Sequence, residues 1–163
     1  IGEIGLDYYW DENPEKEVQK RVFREQMKLA EELGLPVVIH DRDAHKDTLE
    51  IMKEFPKVRG TVHCFSGSVE FAKECVKLGY YIGITGVVTF KNCNLGDTLK
   101  NIDINSIILE TDSPYLTPVP FRGTQNNPGK MINTAKFVAD IYGVSLEELA
   151  KITNQNIKRI FDI

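Results

Sequence analysis

Apolar residues fall along this chain in two alternating rhythms. Short, nearly continuous apolar runs occur at Ile1–Leu6, Pro36–Ile39, Gly60–Val62, Tyr80–Gly86 and Ile107–Leu109. Runs this short and this apolar suit strands covered on both faces, as in a parallel sheet flanked by helices. Between them the apolar positions recur at helical spacing. Val18, Val22, Phe23, Met27, Ala30 and Leu33 form one such set, Leu49, Met52 and Phe55 another, and Phe71, Ala72, Cys75 and Val76 a third.

The punctuation agrees with the rhythm. Asn13-Pro14 predicts a capped helix start, and Gly34 a stop after Leu33. Asp43 is placed to cap the second helix, which Pro56 ends. Ser66-Gly67-Ser68 reads as a loop and cap for the third, closed at Gly79. Val87 to Asp97 reads as a loop with a short helix after it. Residues 113–130 carry four prolines, Pro114, Pro118, Pro120 and Pro128, and a loop of that length is usually functional or disordered. Met131–Tyr142 predicts a helix, Ser145 with Glu148 a capping box for another, and Thr153 a cap for a last one carrying Ile157, Ile160 and Phe161. Strand and helix thus alternate at roughly 25 residues per unit, the signature of a parallel α/β fold.

Composition narrows the function. The 163 residues are 42% hydrophobic and 27% charged, with a net charge of −4, ordinary values for one globular domain. No overall basicity draws the chain to nucleic acid or anionic membrane, so a polyanion site must be local or use a metal. No apolar run approaches the length of a membrane span. The odd cysteine count (Cys64, Cys75, Cys93) without CxxC spacing reads as reduced thiols in a cytoplasmic setting.

The chemistry-bearing residues fall at strand ends. Ile107-Ile108-Leu109 runs into Glu110 and Asp112, His40 ends the second strand, His63 ends the third, and Glu3 lies in the first. In parallel α/β sheets the carboxyl ends of the strands carry the ligands. Two of the chain's three histidines in register with an Asp and a Glu make an imidazole–carboxylate donor set for a divalent cation. Glu3, flanked by Gly2 and Gly5 within an apolar strand, is expected to need a cation partner and has room for one. Glu110 reads equally as a metal contact or as a supporting salt bridge, and His45 as a surface or supporting residue.

These residues sit in motifs that resemble the TatD-like metal-dependent hydrolases, the TatD DNases. The motifs are Gly2-Glu3-Ile4-Gly5-Leu6-Asp7, Val38-Ile39-His40 with Arg42 and Ala44, and His63-Cys64-Phe65-Ser66-Gly67. Gly86-Val87-Val88-Thr89-Phe90-Lys91-Asn92, Leu109-Glu110-Thr111-Asp112-Ser113-Pro114-Tyr115-Leu116 and Thr153-Asn154-Gln155-Asn156 with Arg159 and Phe161 complete the set. The resemblance covers essentially all 163 residues and implies a TIM-type (β/α) barrel of the amidohydrolase kind. It implies metal ligands at Glu3, His40, His63 and Asp112, with Asp112 and Glu3 in catalysis. It implies magnesium, manganese or zinc, up to two ions in the complete protein. The activity implied is hydrolysis of DNA phosphodiester bonds as a 3′–5′ exonuclease on single strands or 3′ ends. Arg42, Arg122 and Tyr8 are the expected substrate contacts, with Tyr9 beside Tyr8 able to stack on an unpaired base and Lys91 a weaker phosphate contact.

The chain departs from that pattern in lacking the family's HxH motif. Its five strands correspond to about five of eight βα units, against the roughly 250 residues of a typical barrel. Residues 1–163 are therefore expected to form the C-terminal portion of one barrel domain, with one metal site short of ligands. The complete protein is expected to be a monomer away from membranes, while this chain has open edges through which it could self-associate. Two alternatives stand beside the nuclease: another amidohydrolase-like enzyme acting on an ester, lactone or amide, and a catalytically incompetent piece that binds metal weakly.

Overall fold

The computed structural model describes residues 1–163. Five strands and six helices alternate as the sequence rhythm implies: β1 (Ile4–Asp7), α1 (Lys16–Leu33), β2 (Val37–Arg42), α2 (His45–Glu54), β3 (Gly60–Val62), α3 (Val69–Lys77), β4 (Tyr80–Ile84), α4 (Leu95–Leu99), β5 (Ile107–Leu109), α5 (Met131–Tyr142) and α6 (Leu146–Phe161). All pairings are parallel, and the strands lie in the sheet in chain order, β1-β2-β3-β4-β5. A doubly wound sheet reverses its order at a switch point. Chain order without reversal is how the strands of a (β/α) barrel follow one another. No helix is long and apolar enough to cross a membrane.

The strands alternate faces. On β1 and β2, Ile4, Leu6, Val37, Ile39 and Asp41 are buried under the helices, while Gly5, Asp7, Val38 and His40 are half-buried on the opposite face. Ile4, Ile39, Val62, Ile82 and Ile107 line up across the sheet as the strand layer of the core. Phe23, Met27 and Ala30 of α1, Ile51 and Met52 of α2, and Ala72 and Cys75 of α3 pack on it.

Gly34 ends α1 at φ 64. Its N–H donates to Glu31 O and that of Leu35 to Ala30 O. This left-handed closure is one a side chain would strain.

Several expectations need correction. The α1 helix begins at Lys16 with Glu15 at its cap position and no side-chain cap bond, so Asn13-Pro14 precedes the helix. Val18, Val22 and Leu33 are exposed, because only one narrow stripe of α1 meets the sheet. Asp43 does not cap α2: it takes φ 55, and Ala44 holds the cap position. The expected last two helices are one, α6. Thr153 lies inside it and donates to Leu149 O at 2.9 Å, a bond that satisfies its hydroxyl without ending the helix. Ser68 and Ser145 cap as expected, accepting from the N–H of Phe71 and Glu148.

Candidate metal centre

His40 is set by the pairing of β1 with β2, where Gly5 stands opposite it. Gly5 has φ 141, and a Cβ there would lie 1.9 Å from the His40 carbonyl oxygen, so only glycine permits this approach. Glu3 lies just ahead of β1, not within it, and its carboxylate is 48% exposed. The expected burial cost of Glu3 therefore does not arise.

Glu3 Oε1 is 2.9 Å from His40 Nδ1, and Asp7 Oδ2 is 3.0 Å from His40 Nε2. The imidazole is thus held between two carboxylates. Asp7 is itself fixed. Its N–H donates to Gln19 Oε1 (2.9 Å), Gln19 Nε2 donates back to Asp7 O (3.0 Å), and Asp7 Oδ1 accepts from the N–H of Tyr9 (3.0 Å). A cleft of about 380 Å3 opens here, lined by Glu3, Gly5, Asp7, Asn13, Gln19 and His40.

His63 repeats the pattern at the end of β3. Glu110 Oε2 is 2.7 Å from its Nδ1, and Asp112 Oδ1 is 3.2 Å from its Nε2. Glu110 Oε2 also accepts from the N–H of Cys64 at 3.1 Å. Its carboxylate occupies space left by Gly83, where a Cβ would come within 2.4 Å of Glu110 Oε1.

Two residues beside the site, Cys64 (φ 43) and Asp112 (φ 55), are left-handed without being glycine. Such strained positions persist where the surroundings fix them, and they cluster at functional sites. Part of the fixing comes from buried Asn126, whose Nδ2 donates to Thr111 O (2.8 Å) and Tyr115 O (2.7 Å) on either side of Asp112.

The electrostatics follow the contacts. The Glu110 hydrogen bond raises His63 to about 9 against the opposing effect of burial, and the charges of Glu110 and Glu3 add to it. Burial pushes the Cys64 thiol up to about 11, with Asp112, Glu110 and Glu3 adding to it. Glu3 thus acts on both halves of the site.

All four ring nitrogens of His40 and His63 face carboxylate oxygens at hydrogen-bond distance. No three of the acidic, histidine or cysteine side chains bring their donor atoms onto one point. In kind, the donor set fits a borderline divalent cation, for imidazole nitrogen and carboxylate oxygen are its ligands. A cation held by these groups would displace the protons its ligands carry.

Asp7 was not singled out from the sequence as a site residue. Its signal was its place two residues beyond Gly5, on the same face of β1. Glu110 contacts His63 through Nδ1, the kind of contact by which a carboxylate orients an imidazole. His45 lies away from the centre, with Nδ1 2.9 Å from the buried Asp41.

Of the expected substrate contacts, Tyr8 is engaged within the protein. Its hydroxyl donates to Asp47 (2.7 Å) and Lys16 Nζ lies 4.4 Å from its ring centroid. The Arg42 guanidinium lies over the Tyr9 ring. That of Arg122 lies 3.7 Å from the Phe90 centroid while donating to Thr117 O. A larger hollow of about 650 Å3 opens between the loops after β3 and β4, against Phe65, Phe90 and Leu95. It contains none of the candidate ligands.

Comparison with known proteins places these features in a family. Residues 1–162 match the family described as TatD related DNase. The chain is 46% identical over its whole length to the uncharacterized metal-dependent hydrolase YabD of Bacillus subtilis, covering 65% of that protein. It is 42% identical to the uncharacterized metal-dependent hydrolase YcfH of Escherichia coli, covering 62%. It superimposes on the crystal structure of YJJV, a TatD homologue from Escherichia coli K12, with a TM-score of 0.92 and 32% identity. That match spans 99% of this chain and 63% of the other. The chain therefore spans somewhat less than two thirds of the length of these relatives.

Proposed function

Since the chain belongs to the TatD related DNase family, we propose that it carries much of the active site of a metal-dependent hydrolase acting on DNA phosphodiester bonds. The observation that supports this reading most is the doubled arrangement at the strand ends. Two histidines, each between two carboxylates, stand on β2 and just past the end of neighbouring β3, within the field of Glu3.

Glu3, His40, His63 and Asp112 are the residues that would hold divalent magnesium, manganese or zinc, up to two ions in the whole protein. A cation there supplies Lewis acidity toward a phosphoryl oxygen and brings the ionisation of water from about 15.7 toward about 7. The chain's own groups do the rest. Asp7 and Glu110 hold the imidazoles in orientation. Asp112, only a third exposed and tied to His63, takes the proton of the attacking water and returns it to the leaving oxygen. Glu3 is the second acidic group of the reaction. Arg42 and Arg122 are the phosphate contacts, for which a guanidinium fork is suited, and Tyr8 borders the site. The substrate is DNA, single-stranded or at a 3′ end, degraded from that end. Residues 1–163 form part of one hydrolase domain.

Single-stranded DNA labelled at either end, incubated with manganese or magnesium beside ester, lactone and amide substrates, tests the reading. Loss of 3′ nucleotides that His40→Ala and Asp112→Asn abolish is expected. Turnover of an ester, lactone or amide with none of DNA would overturn it.

A further inference from the structure

The aromatic turn after β1 carries the same site outward. Tyr9 and Trp10 are 51% and 52% exposed and meet edge to face, with ring centroids 4.7 Å apart. The Arg42 guanidinium carbon lies 4.0 Å from the Tyr9 centroid and 5.5 Å from that of Trp10. Such contacts hold a cation against aromatic faces.

This cluster is built into the frame of the candidate centre. The Tyr9 N–H donates to Asp7 Oδ1 (3.0 Å), and the other Asp7 oxygen faces His40 Nε2 (3.0 Å). The Tyr8 N–H donates to Arg42 O (2.9 Å), and the Asn13 N–H to Trp10 O (3.2 Å). Tyr8, in contrast, has its hydroxyl tied to Asp47 and its ring beside Lys16. Two half-open rings and a guanidinium are therefore fixed one carboxylate away from a candidate ligand.

We propose that Tyr9, Trp10 and Arg42 form a stacking platform for an unpaired nucleobase of the strand whose phosphodiester lies at His40. The proposal rests on the nuclease reading above and gives its single-stranded substrate a base contact, at Tyr9 and Trp10, beyond the phosphate contacts named there. Every base offers a π face, so stacking tolerates any sequence. The cation beside the rings serves the adjoining phosphate. Duplex ends, whose bases are already stacked and paired, gain less from such a platform.

Trp10 is the chain's only tryptophan, so its fluorescence reports on the platform directly. The experiment titrates the chain with a short oligothymidylate at fixed salt in the presence of chelator, so that no cleavage occurs. An abasic strand of equal length and a neutral oligosaccharide run in parallel. Affinities of Trp10→Ala and Trp10→Phe come from the anisotropy of a labelled oligomer. Saturable quenching by the oligothymidylate alone is expected. Trp10→Ala should weaken binding roughly 5- to 150-fold, and Trp10→Phe should restore most of it.

Equal binding of the abasic strand, equal quenching by the oligosaccharide, or unchanged affinity in Trp10→Ala would each overturn the platform. If Trp10→Ala fails to fold, quenching of the parent and the affinity of Trp10→Phe decide. Cleavage of DNA with a silent Trp10 would sink the platform and leave the nuclease reading standing. Stacking on Trp10 with no cleavage when cation is added would do the reverse.

Discussion

Gly83→Ala perturbs the candidate centre without touching a proposed ligand. A methyl on Gly83 would stand 2.4 Å from Glu110 Oε1 and 2.7 Å from Oε2. The backbone there is held on both sides, opposite Ile108 and by the Phe65 N–H donating to Gly83 O at 3.0 Å, so the carboxylate must give way. Glu110 would then leave both His63 Nδ1 (2.7 Å) and the Cys64 N–H (3.1 Å).

Hydrogen bonds to charged groups contribute about 1.5–3 kcal/mol each. The rise of His63 from 6.5 to about 9, caused first by Glu110, gives a second route. At about 1.36 kcal/mol per pKa unit it amounts to about 3 kcal/mol for all the carboxylates around that ring. His63 and Glu110 are 19% and 14% exposed, so solvent screening removes little of it. We expect Gly83→Ala to lose about 2–3 kcal/mol near pH 6.

The pH dependence has a definite sign. His63 binds its proton more tightly folded than unfolded. Its contribution is full below about 6.5 and is lost as pH rises through about 9. The deficit of the variant should therefore shrink in alkali. Urea denaturation of both proteins on either side of that window measures it, and NMR titration of His63 should show its midpoint falling toward 6.5. Glu110→Gln removes the charge without the crowding and should shift His63 likewise. Parental stability near pH 6 together with an unmoved His63 titration in Gly83→Ala would refute the reasoning.

Asp7→Asn should weaken divalent-cation binding about 10- to 100-fold, the usual effect of losing the carboxylate behind a ligating imidazole. Isothermal titration with manganese measures this, and parental affinity would remove Asp7 from the centre. Asn126→Ala leaves Thr111 O and Tyr115 O without their donor and should cost about 2 kcal/mol. Amide exchange around Asp112 should quicken, and unchanged exchange would show that the loop is fixed by other contacts. Ser145→Ala, which removes the cap of α6, should cost about 1 kcal/mol in urea denaturation while leaving cation affinity unchanged.

The alternation of strands and helices was legible because burial on both faces of a parallel sheet leaves nearly unbroken apolar runs. Gly60–Val62 and Ile107–Leu109 are strands over those same residues. His40 and His63 could be singled out because each closes such a run. Asp7 could not, because an acid after a strand reads as loop until the partner strand's register is known. The role of Glu110 was undecidable by alternation, which holds only within a strand. Here β5 stops at Leu109 and the left-handed turn at Asp112 lets both carboxylates reach one imidazole. Thr153 misled because a hydroxyl that caps one helix can bond back inside another.

The order of the sheet has a consequence for how the centre comes apart. Each strand pairs only with those one βα unit away in the chain, so the interactions that define the sheet are nearest-neighbour, as in a stacked array. The His40 half, with Glu3 and Asp7, needs only the β1–β2 interface. The His63 half takes its imidazole from beyond β3 and its carboxylates from beyond β5, so it exists only while β4 stands between them. Transient opening of the β4 unit would take apart the second half and leave the first assembled. The two halves of one centre therefore have separate local opening free energies, and the second is governed by a strand that contributes no ligand to it.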